Sequence, residues 1–550
     1  MSDTSINVYN ILLDSLKKNS SSIWSIIPLF IGYYLQDIVF TKNIASVTSN
    51  VPKFVDDITF GKLLVVVLPY GIALMLFYIS NILTVSSVPK AEFEALQEVT
   101  DQLIESIKLS KESVNTNDLI VHLKKIADTK EIYKMFISYI LPTIIVIIGI
   151  IYYFLKCDIS TSIIVILIII IFVIITINFE LHNINETYHT EESINELFED
   201  LHDILINVDT VITSDAKKKE MKNICVSKEK TFNRSHSSAL TNINVSYGLE
   251  IFNMLVTLGI NYLAYRLYIN NTMDTSTFIS VVILTIVFMD YYRYLLHEIM
   301  DFVVLMGRLY DANSYFSNFK FIENNGESDK QKLLVTKGNI LFKDITFKYD
   351  DMYIFNNFNL YIPGGKKIGL IGPIGSGKTT LLKMLINRNK YDGTIYIDSQ
   401  DMSKCSLESI TSQIAYIPQQ PKLFNKTIMY NINYNTNYNE QELIEKLNSL
   451  GLMTFIDSFP NKLQSIVGKE GTQLSGGQKQ LIVLIRVLLQ NKSIILLDEP
   501  TSSLDQTNKL TFVNIINKIK NKTIIMSTHD NQMMEIFDMI ININDKKINK

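Results

Sequence analysis

The amino-acid sequence predicts two different folds in one chain, an all-helical membrane domain followed by an α/β domain. Six apolar runs lie in the first part of the chain, each close to the ~20 residues that a membrane-spanning helix needs. From Gly338 onward, short apolar strand patterns alternate with helical patterns. The chain has 550 residues, of which 47% are hydrophobic and 19% are charged. This length exceeds one hydrophobic core, and the composition lies between that of a soluble enzyme and that of a membrane bundle.

The six apolar runs define the membrane domain, which we place at residues 1–325. The spans are expected near residues 23–40, 63–83, 135–155, 160–177, 245–268 and 277–300. Pro28, Pro69 and Pro142 lie inside spans, where a proline removes a backbone N–H and is expected to kink the helix. An even number of spans places both ends of the chain on the same side of the membrane.

Two long connections, residues 84–134 and 180–244, contain lysine-rich stretches, whereas the other connections are short. Because basic residues are enriched on the cytosolic side, we predict that these connections and both termini are cytosolic. Ile194, Leu197 and Leu201 recur at helical spacing, so the spanning helices are predicted to continue past the membrane. The protein is therefore predicted to be an integral multi-pass membrane protein, and the sequence does not say which membrane holds it.

A polar face interrupts the sixth span. Asp290, Arg293, His297 and Asp301 follow one another at steps of three, four and four residues, so they share one side of a helix. Ionisable groups at membrane depth are costly unless they are paired or face water, which makes this face a candidate ligand contact. The alternative interpretations are a salt-bridge cluster between helices and the cytosolic end of a long helix.

Charge and cysteine content exclude other classes. The formal net charge of −4 argues against a partner that is a nucleic acid, because such a protein carries a basic face. Cys157, Cys225 and Cys405 lie far apart in the sequence, which supports neither a disulfide framework nor a zinc site.

The α/β domain is expected at residues 338–550, after a linker at residues 326–337. Alternating or buried-strand patterns predict its strands. They lie at residues 339–348, 394–398, 414–417, 493–497, 523–526 and 539–543.

The strongest motif of the α/β domain is Gly-Pro-Ile-Gly-Ser-Gly-Lys-Thr, residues 372–379. It follows the strand-like run 367–371 and precedes the helical run 381–385, which is the order of a P-loop. Glycines let successive N–H groups face one concavity, and the following helix adds its positive N-terminal dipole, so the loop is predicted to bind nucleotide phosphates. A glycine-rich turn without a ligand is the alternative. The predicted nucleotide-binding residues of this loop are Gly372, Pro373, Ile374, Gly375, Ser376, Gly377, Lys378, Thr379 and Thr380.

Within this loop, Lys378 is expected to reach the β- and γ-phosphates, and Thr379 to offer its hydroxyl to Mg²⁺. A second motif lies at residues 494–499, where four apolar residues end in Asp498 and Glu499. A buried strand would deliver both carboxylates at its end. Asp498 is predicted to hold Mg²⁺ directly or through water, and Glu499 to act as the general base toward the attacking water.

A third motif, Leu474-Ser475-Gly476-Gly477-Gln478, reproduces the signature of ATP-binding cassette (ABC) ATPases. With the P-loop and Asp498-Glu499, it makes the chain resemble the half-transporters among ABC exporters, in which six spans precede one cassette. The resemblance is specific in residues 338–545 and only architectural before them. It implies that Tyr349 stacks on adenine, that Gln419 links Mg²⁺ and the attacking water to the membrane part, and that His529 contacts the γ-phosphate.

The resemblance also implies a dimer. Two cassettes of this family meet head to tail, so that Ser475, Gly476, Gly477 and Gln478 of one chain close over the ATP held by the P-loop of the other. The expected function is ATP-driven export by a homodimer in membrane lipid, with ATP and Mg²⁺ as cofactors and an unknown transported substrate. Two alternatives are one half of a heterodimeric exporter and a membrane-anchored regulatory ATPase or channel subunit.

Two departures from the family pattern stand out. Leu481 occupies the position where the signature of this family usually ends in arginine. Lys469-Glu470 exchanges the charges of the Glu-Arg pair in the exporter motif Val-Gly-Glu-Arg-Gly. Neither change affects a residue expected to contact phosphate.

Overall fold

The computed structural model describes residues 4–49, 60–110, 116–127, 129–321, 330–349 and 352–543. The chain divides into two units. The helical unit comprises Asp3–Ser106 and Val114–Phe321, and the α/β unit comprises Ile322–Lys550 together with Ile107–Ser113 and the first two residues.

Six helices among the described residues are long and apolar enough to cross a membrane, which confirms the predicted number of spans. They lie at Ser20–Ser49, Leu64–Lys108, Asp118–Cys157, Ile159–Glu180, Lys217–Ile269 and Thr275–Leu296. The chain is a multi-pass membrane protein.

The α-helices of this unit have the following bounds. They are Val8–Lys18, Ser20–Trp24, Ile26–Tyr33, Phe40–Ser49, Phe60–Ser110, Thr116–Ile126, Thr129–Met135, Leu141–Cys157, Ile159–Ile206, Val208–Thr213, Lys217–Ile269 and Thr275–Ser317. Two π-helical turns, Tyr34–Val39 and Phe136–Ile140, interrupt the first and third spans. A short antiparallel pair joins β1, Thr4–Ser5, to β2, Lys320–Phe321.

Several helices continue well past their apolar segments. The helix Lys217–Ile269 has 53 residues, which at 1.5 Å per residue is about 80 Å, against an apolar bilayer core of about 30 Å. Ile159–Ile206 likewise extends its span without a break. The prediction that spanning helices continue into the two long connections is confirmed.

The prolines lie where the helices can accommodate them. Pro142 is one of the first two residues of Leu141–Cys157, directly after a π-helical turn, so its missing N–H coincides with a change in the hydrogen-bond pattern. Pro69 and Pro89 lie inside the long helix Phe60–Ser110.

Two glycines allow the first span to pack closely against its neighbours. A Cβ atom added at Gly149 would lie 2.2 Å from Cδ1 of Ile38, and one added at Gly32 would lie 2.5 Å from Cε1 of Phe77. Small residues at such positions let helix backbones approach within a membrane. The first span is thereby held against both the second and the third.

The α/β unit contains a parallel and an antiparallel sheet. The parallel sheet has the order β11-β5-β10-β9-β8, and the antiparallel sheet has the order β4-β3-β6-β7. The strands are β3 Ile340–Tyr349, β4 Met352–Ile362, β5 Lys367–Ile371, β6 Asp392–Ile397, β7 Gln400–Asp401, β8 Ile414–Ile417, β9 Ile494–Asp498, β10 Thr523–Ser527 and β11 Met539–Asn542. The α-helices are Lys378–Leu385, Leu407–Gln413, Ile428–Ile432, Glu440–Leu450, Met453–Asp457, Gly476–Leu489 and Gln506–Lys518.

Strand β9 shows why the central strands are continuous apolar runs. Ile494 and Leu496 belong to one buried hydrophobic cluster, whereas Ile495 and Leu497 belong to the other. Because successive side chains of a strand point to opposite faces, a strand covered on both faces needs apolar residues at every position. The sheet therefore lies between two cores, and the carboxyl ends of its strands are free to carry polar residues.

Of the element boundaries that differ from the prediction, two have a clear local cause. The helix after the glycine-rich loop begins at Lys378 instead of Leu381, because Gly377 adopts a left-handed φ of 98° that ends the loop at once. Strand β6 ends at Ile397, one residue before Asp398, whose φ of 45° places it in the turn between β6 and β7.

Asp398 ties this turn to the segment that precedes β3. Its carboxylate accepts hydrogen bonds from the backbone N–H groups of residues 336–339, at 2.7–2.9 Å. These bonds outweigh desolvation and lower the pKa of Asp398 to about 2. The charged form is therefore favoured by folding.

We expect Asp398→Asn to lower the melting temperature of the α/β unit by roughly 4–8 °C, corresponding to about 2 kcal/mol. Since folding lowers the pKa of Asp398, its contribution is fully present above the unfolded pKa near 4 and is lost as pH falls toward 2. Thermal unfolding of the purified protein should show a constant difference from the parent between pH 7 and about pH 5, and the difference should shrink as the pH falls below about 4. Asp392→Asn, at an exposed position of β6, is the control and should change little. Equal melting temperatures for Asp398→Asn and the parent would contradict this account.

Candidate functional site

The candidate site lies at the carboxyl edge of the parallel sheet. Strands β5, β8, β9 and β10 run parallel, so the residues that follow each of them meet at one edge. The loop after β5 is the glycine-rich motif, Asp498 and Glu499 end β9, Gln419 follows β8, and His529 follows β10. The sheet brings together residues that are up to about 160 positions apart in the sequence.

The glycine-rich loop has the backbone that its sequence demands. Gly372, Gly375 and Gly377 adopt φ values of 153°, 82° and 98°, which other residues rarely reach. A Cβ atom at Gly377 would lie 2.6 Å from Cζ of Phe355, whereas one at Gly375 would meet no atom within 4 Å. The loop is thus tightly held at its end and open in its middle.

Lys378 folds back into this loop. Its Nζ donates hydrogen bonds to the carbonyl oxygens of Gly372 at 2.8 Å and Pro373 at 3.0 Å. Burial lowers the pKa of the Lys378 ammonium, and the nearby carboxylates of Glu499 and Asp498 oppose that shift. A positive charge is therefore concentrated at the mouth of the loop, beside the N-terminus of helix Lys378–Leu385.

The loop residues fit an anion such as a phosphate. The hydroxyl of Ser376 is buried without a hydrogen-bond partner. Ile374 is 95% exposed and Gly375 is open, so the outer side of the loop is accessible. Thr380, the last predicted residue of this loop, is buried. Unpaired N–H and O–H donors together with a lysine form a suitable set of contacts for phosphate oxygens.

Asp498 is held by hydroxyl groups from neighbouring elements. Its Oδ1 accepts hydrogen bonds from Thr379 Oγ1 at 3.0 Å and Ser527 Oγ at 2.7 Å, and its Oδ2 accepts one from Tyr416 OH at 3.2 Å. Burial and the charge of Asp498 raise the pKa of Tyr416, so the phenol remains a donor. A carboxylate beside a threonine hydroxyl provides the oxygen ligands that Mg²⁺ prefers, and these residues fit that ion.

Glu499 lies between two polar side chains. Gln419 Nε2 donates to Glu499 Oε2 at 2.8 Å, and His529 Nε2 lies 3.4 Å from Glu499 Oε1. Glu499 adopts a left-handed φ of 46°, which is rare for glutamate, and its backbone N–H donates to Ser527. The contacts with Gln419 and His529, together with the backbone conformation of Glu499, thus restrict the orientation of this carboxylate.

The signature residues form the N-terminus of helix Gly476–Leu489. Ser475 is the N-cap residue, and it exchanges hydrogen bonds with Gln478 in a capping box. A Cβ atom at Gly476 would lie 2.9 Å from Cβ of Ser503, and one at Gly477 would lie 3.1 Å from the Ser503 carbonyl oxygen. Both glycines therefore allow this helix end to pack on the loop after Glu499, while Ser475 itself stays exposed.

The remaining predicted residues have simple environments. Tyr349 is half exposed at the end of β3, with its ring perpendicular to that of Phe347 at 4.8 Å. Leu481 is fully buried in one hydrophobic cluster, so the usual arginine of this position is replaced by a core residue. Lys469 is exposed, and the side chain of Glu470 lies outside the described side chains.

On the polar face of the sixth span, two of the described side chains form an ion pair. Arg293 Nη2 lies 3.2 Å from Asp290 Oδ1, and both side chains are at least half exposed. The side chain of His297 lies outside the described side chains, and Asp301 is exposed. This pair lies within one helix, whereas the salt-bridge interpretation expects contacts between helices.

Sequence reasoning missed Tyr416, Ser527 and Asp37. Tyr416 and Ser527 reach Asp498 only because β8 and β10 are the neighbours of β9, which no local pattern shows. Ser527 directly precedes Thr528-His529, and that position was the available signal. Asp37 lies in the first span, a segment that is otherwise nearly free of charge, and it is buried among helices.

Comparison with known proteins finds similarity in the α/β unit. Residues 355–502 match the ABC transporter family. The matched segment contains the P-loop, the signature motif and Asp498-Glu499. A mitochondrial iron-sulfur clusters transporter, ATM1, of Candida albicans is 36% identical over 219 residues, which cover 38% of this chain and 29% of that protein. The ATP-dependent lipid A-core flippase of Escherichia coli K12 is 32% identical over 235 residues, or 41% of this chain and 40% of that protein.

A solved structure extends the likeness in fold to the membrane part of the chain. A bacterial Atm1-family ABC exporter with ATP bound matches with a TM-score of 0.77 and 20% identity, covering 97% of this chain and 95% of that one. The predicted fold class, six membrane helices followed by a P-loop α/β domain, is confirmed. The sequence matches span less than half the length of these curated relatives. The structural match covers nearly the whole chain.

Proposed function

We propose that this chain is an ABC exporter half that hydrolyses ATP as a homodimer and uses the energy to move a substrate across a membrane. The observation that supports it best is the Glu499 carboxylate, held between Gln419 and His529 at the same sheet edge as the Lys378 loop. A carboxylate fixed beside a phosphate-binding loop is what hydrolysis of a phosphoanhydride bond requires.

In this proposal the P-loop, residues 372–380, binds the triphosphate of ATP. The backbone N–H groups and the Lys378 ammonium contact the phosphate oxygens, and the half-exposed ring of Tyr349 stacks on adenine. Mg²⁺, held by Thr379, Asp498 and Gln419, would neutralise phosphate charge when bound. Tyr416 and Ser527 keep the Asp498 carboxylate in place.

Hydrolysis needs a base toward water and a group that responds to the γ-phosphate. Glu499 is the proposed base, because Gln419 Nε2 donates to its carboxylate and the Ser527 hydroxyl accepts from its backbone N–H. His529, on the other carboxylate oxygen, is the proposed γ-phosphate contact. A γ-phosphate bound to His529 would draw the imidazole away from Glu499. The Glu499 carboxylate would then be able to contact the attacking water.

A single cassette has only half of each proposed site. Ser475 caps the exposed N-terminus of a 14-residue helix. The N–H groups and the dipole of this helix end suit an anion. In a head-to-tail dimer, Ser475, Gly476, Gly477 and Gln478 would contact the ATP bound to the partner's loop. ATP binding would then close the dimer, and hydrolysis would release it.

The membrane part is proposed to carry the substrate path, with both termini in the cytosol. The two curated relatives are named for different substrates, iron-sulfur clusters and lipid A-core, so similarity does not fix the substrate of this chain. The host membrane is not identified by the sequence, and lipid is the expected surrounding partner.

Transport into proteoliposomes tests the proposal. With the cassettes outside, we expect ATP to drive accumulation of at least one member of a panel of lipids, peptides, thiol conjugates and drugs. A Glu499→Gln preparation is the matched control and should accumulate none. ATP-dependent conductance without accumulation would favour the channel-subunit alternative. A purified complex with the mass of a heterodimer would show that the chain pairs with a different half and not with itself.

A further inference from the structure

A carboxylate is buried inside the spanning helices. Asp37 lies in the candidate span Ser20–Ser49 and is 3% exposed. It occupies the π-helical turn Tyr34–Val39, between the α-helices Ile26–Tyr33 and Phe40–Ser49. A π-helical turn shifts the register of side chains along a helix and is frequent at functional sites. Ionisable residues at this depth are rare and usually functional.

The described partners of Asp37 are neutral. Tyr291 OH, on the candidate span Thr275–Leu296, donates to Oδ2 at 3.1 Å and lies 3.3 Å from Oδ1. Gln36 Nε2 donates to Oδ1 at 3.3 Å and also lies 3.2 Å from Tyr291 OH. In the described part of the chain, Asp37 has no ion pair with a lysine, arginine or histidine. Burying a carboxylate without a cation costs several kcal/mol of free energy, so a cation supplied from outside the chain would stabilise the charged form.

Aromatic rings from three helices form a cluster that includes Tyr291, the hydroxyl donor to this carboxylate. The ring of Tyr33 is 6.4 Å from that of Tyr291 at an interplanar angle of 89°, and 4.8 Å from that of Phe77. Phe77 belongs to the second span and reaches this place because Gly32 leaves room for its ring. Ring faces attract cations, and such sets of rings recognise cations that carry apolar groups.

We propose that Asp37, Tyr33, Phe77 and Tyr291 form a binding site for a hydrophobic organic cation, with Asp37 as its counter-charge. This inference rests on the proposed export function, since the cation would be the transported substrate. Gln36 and Tyr291 hold the carboxylate in one orientation, and the rings provide the apolar contact. A bound proton would also neutralise Asp37, but it would not use the aromatic rings as contacts for a cation.

Binding of tetraphenylphosphonium, a hydrophobic organic cation, tests the site. The full-length protein in lipid nanodiscs is titrated without ATP, and the signal of empty nanodiscs is subtracted. We expect saturable binding by the parent and affinity weakened at least about tenfold by Asp37→Asn, which keeps the shape but removes the charge. Asp158→Asn is the matched control, because it removes the carboxylate that caps the helix Ile159–Ile206, where asparagine can also serve as the cap, and its affinity should equal that of the parent.

Two further measurements keep the proposal falsifiable if Asp37→Asn does not fold. Tyr33→Leu, which removes one ring and retains the carboxylate, should weaken binding several-fold. Tetraphenylborate, an anion of the same shape, should bind the parent far more weakly than tetraphenylphosphonium. Absence of saturable binding, unchanged affinity in a folded Asp37→Asn or Tyr33→Leu variant, or equal binding of the two ions would overturn the proposal. Because no ATP is present, these outcomes are independent of whether the cassette hydrolyses ATP.

Discussion

Glu499→Gln is expected to abolish ATP turnover while leaving ATP binding intact. The substitution keeps the size of the side chain and its contact with Gln419, but glutamine cannot accept a proton from water. Loss of a general base reduces rates by a factor on the order of 10²–10⁴. ATPase activity of the reconstituted protein measures the loss, and binding of a fluorescent ATP analogue measures what is retained.

The same variant should trap a dimer. If ATP joins two cassettes through Ser475 and hydrolysis separates them, a chain that binds but does not hydrolyse ATP accumulates in the closed state. Cross-linking of Ser475→Cys in one copy to Ile374→Cys in the other would detect it, because Ile374 is exposed on the same loop, and the cross-link should depend on ATP. Glu535→Gln, in the same cassette but outside the site, is the control and should turn over ATP normally. Hydrolysis at the parent rate by Glu499→Gln would show that another group is the base.

The chemistry-bearing ends of the strands could be predicted because they are local. An apolar run of four residues ending in acids marks a buried strand whatever its neighbours, as Ile494–Asp498 shows. The P-loop glycines are equally local, since the φ of 82° at Gly375 is a property of the loop itself. Such motifs required no knowledge of the sheet order.

Contacts set by the sheet order could not be predicted. The hydrogen bond from Tyr416 to Asp498 exists because β8 pairs with β9, and the sequence separates these strands by more than 70 residues. Strand β4 was not predicted, because the asparagines of Met352–Ile362 are unfavourable in strands. It forms nonetheless, since it pairs with β3 along most of its length.

The membrane part shows the same division between local and non-local signals. Length and hydropathy predicted the six spans, because a helix in lipid must satisfy its own hydrogen bonds. The burial of Asp37 followed from helix packing instead, through Ile38 against Gly149 and Tyr291 from the sixth span. A single acidic residue in an apolar run does not show which side of its helix is covered by neighbouring helices.

Lys378→Ala is expected to weaken ATP binding about 100-fold or more, corresponding to about 3 kcal/mol of charge-assisted hydrogen bonds. The ammonium now bonded to the carbonyl oxygens of Gly372 and Pro373 is the cation placed to contact phosphate oxygens. Without it, the loop retains its N–H donors but loses the charge. Titration with a fluorescent ATP analogue measures the affinity, and turnover should fall with it.

Removal of Lys378 also breaks two hydrogen bonds inside the loop, so the charge must be separated from the packing. Lys378→Met keeps an apolar stem of similar length and should fail as Lys378→Ala does, if the ammonium is what matters. Lys383→Ala removes a positive charge from the same helix, five residues further on, and should bind ATP as the parent does. If Lys378→Met bound ATP as tightly as the parent, the loop would recognise phosphate through its backbone alone, and Lys378 would act only as a brace for the two carbonyls.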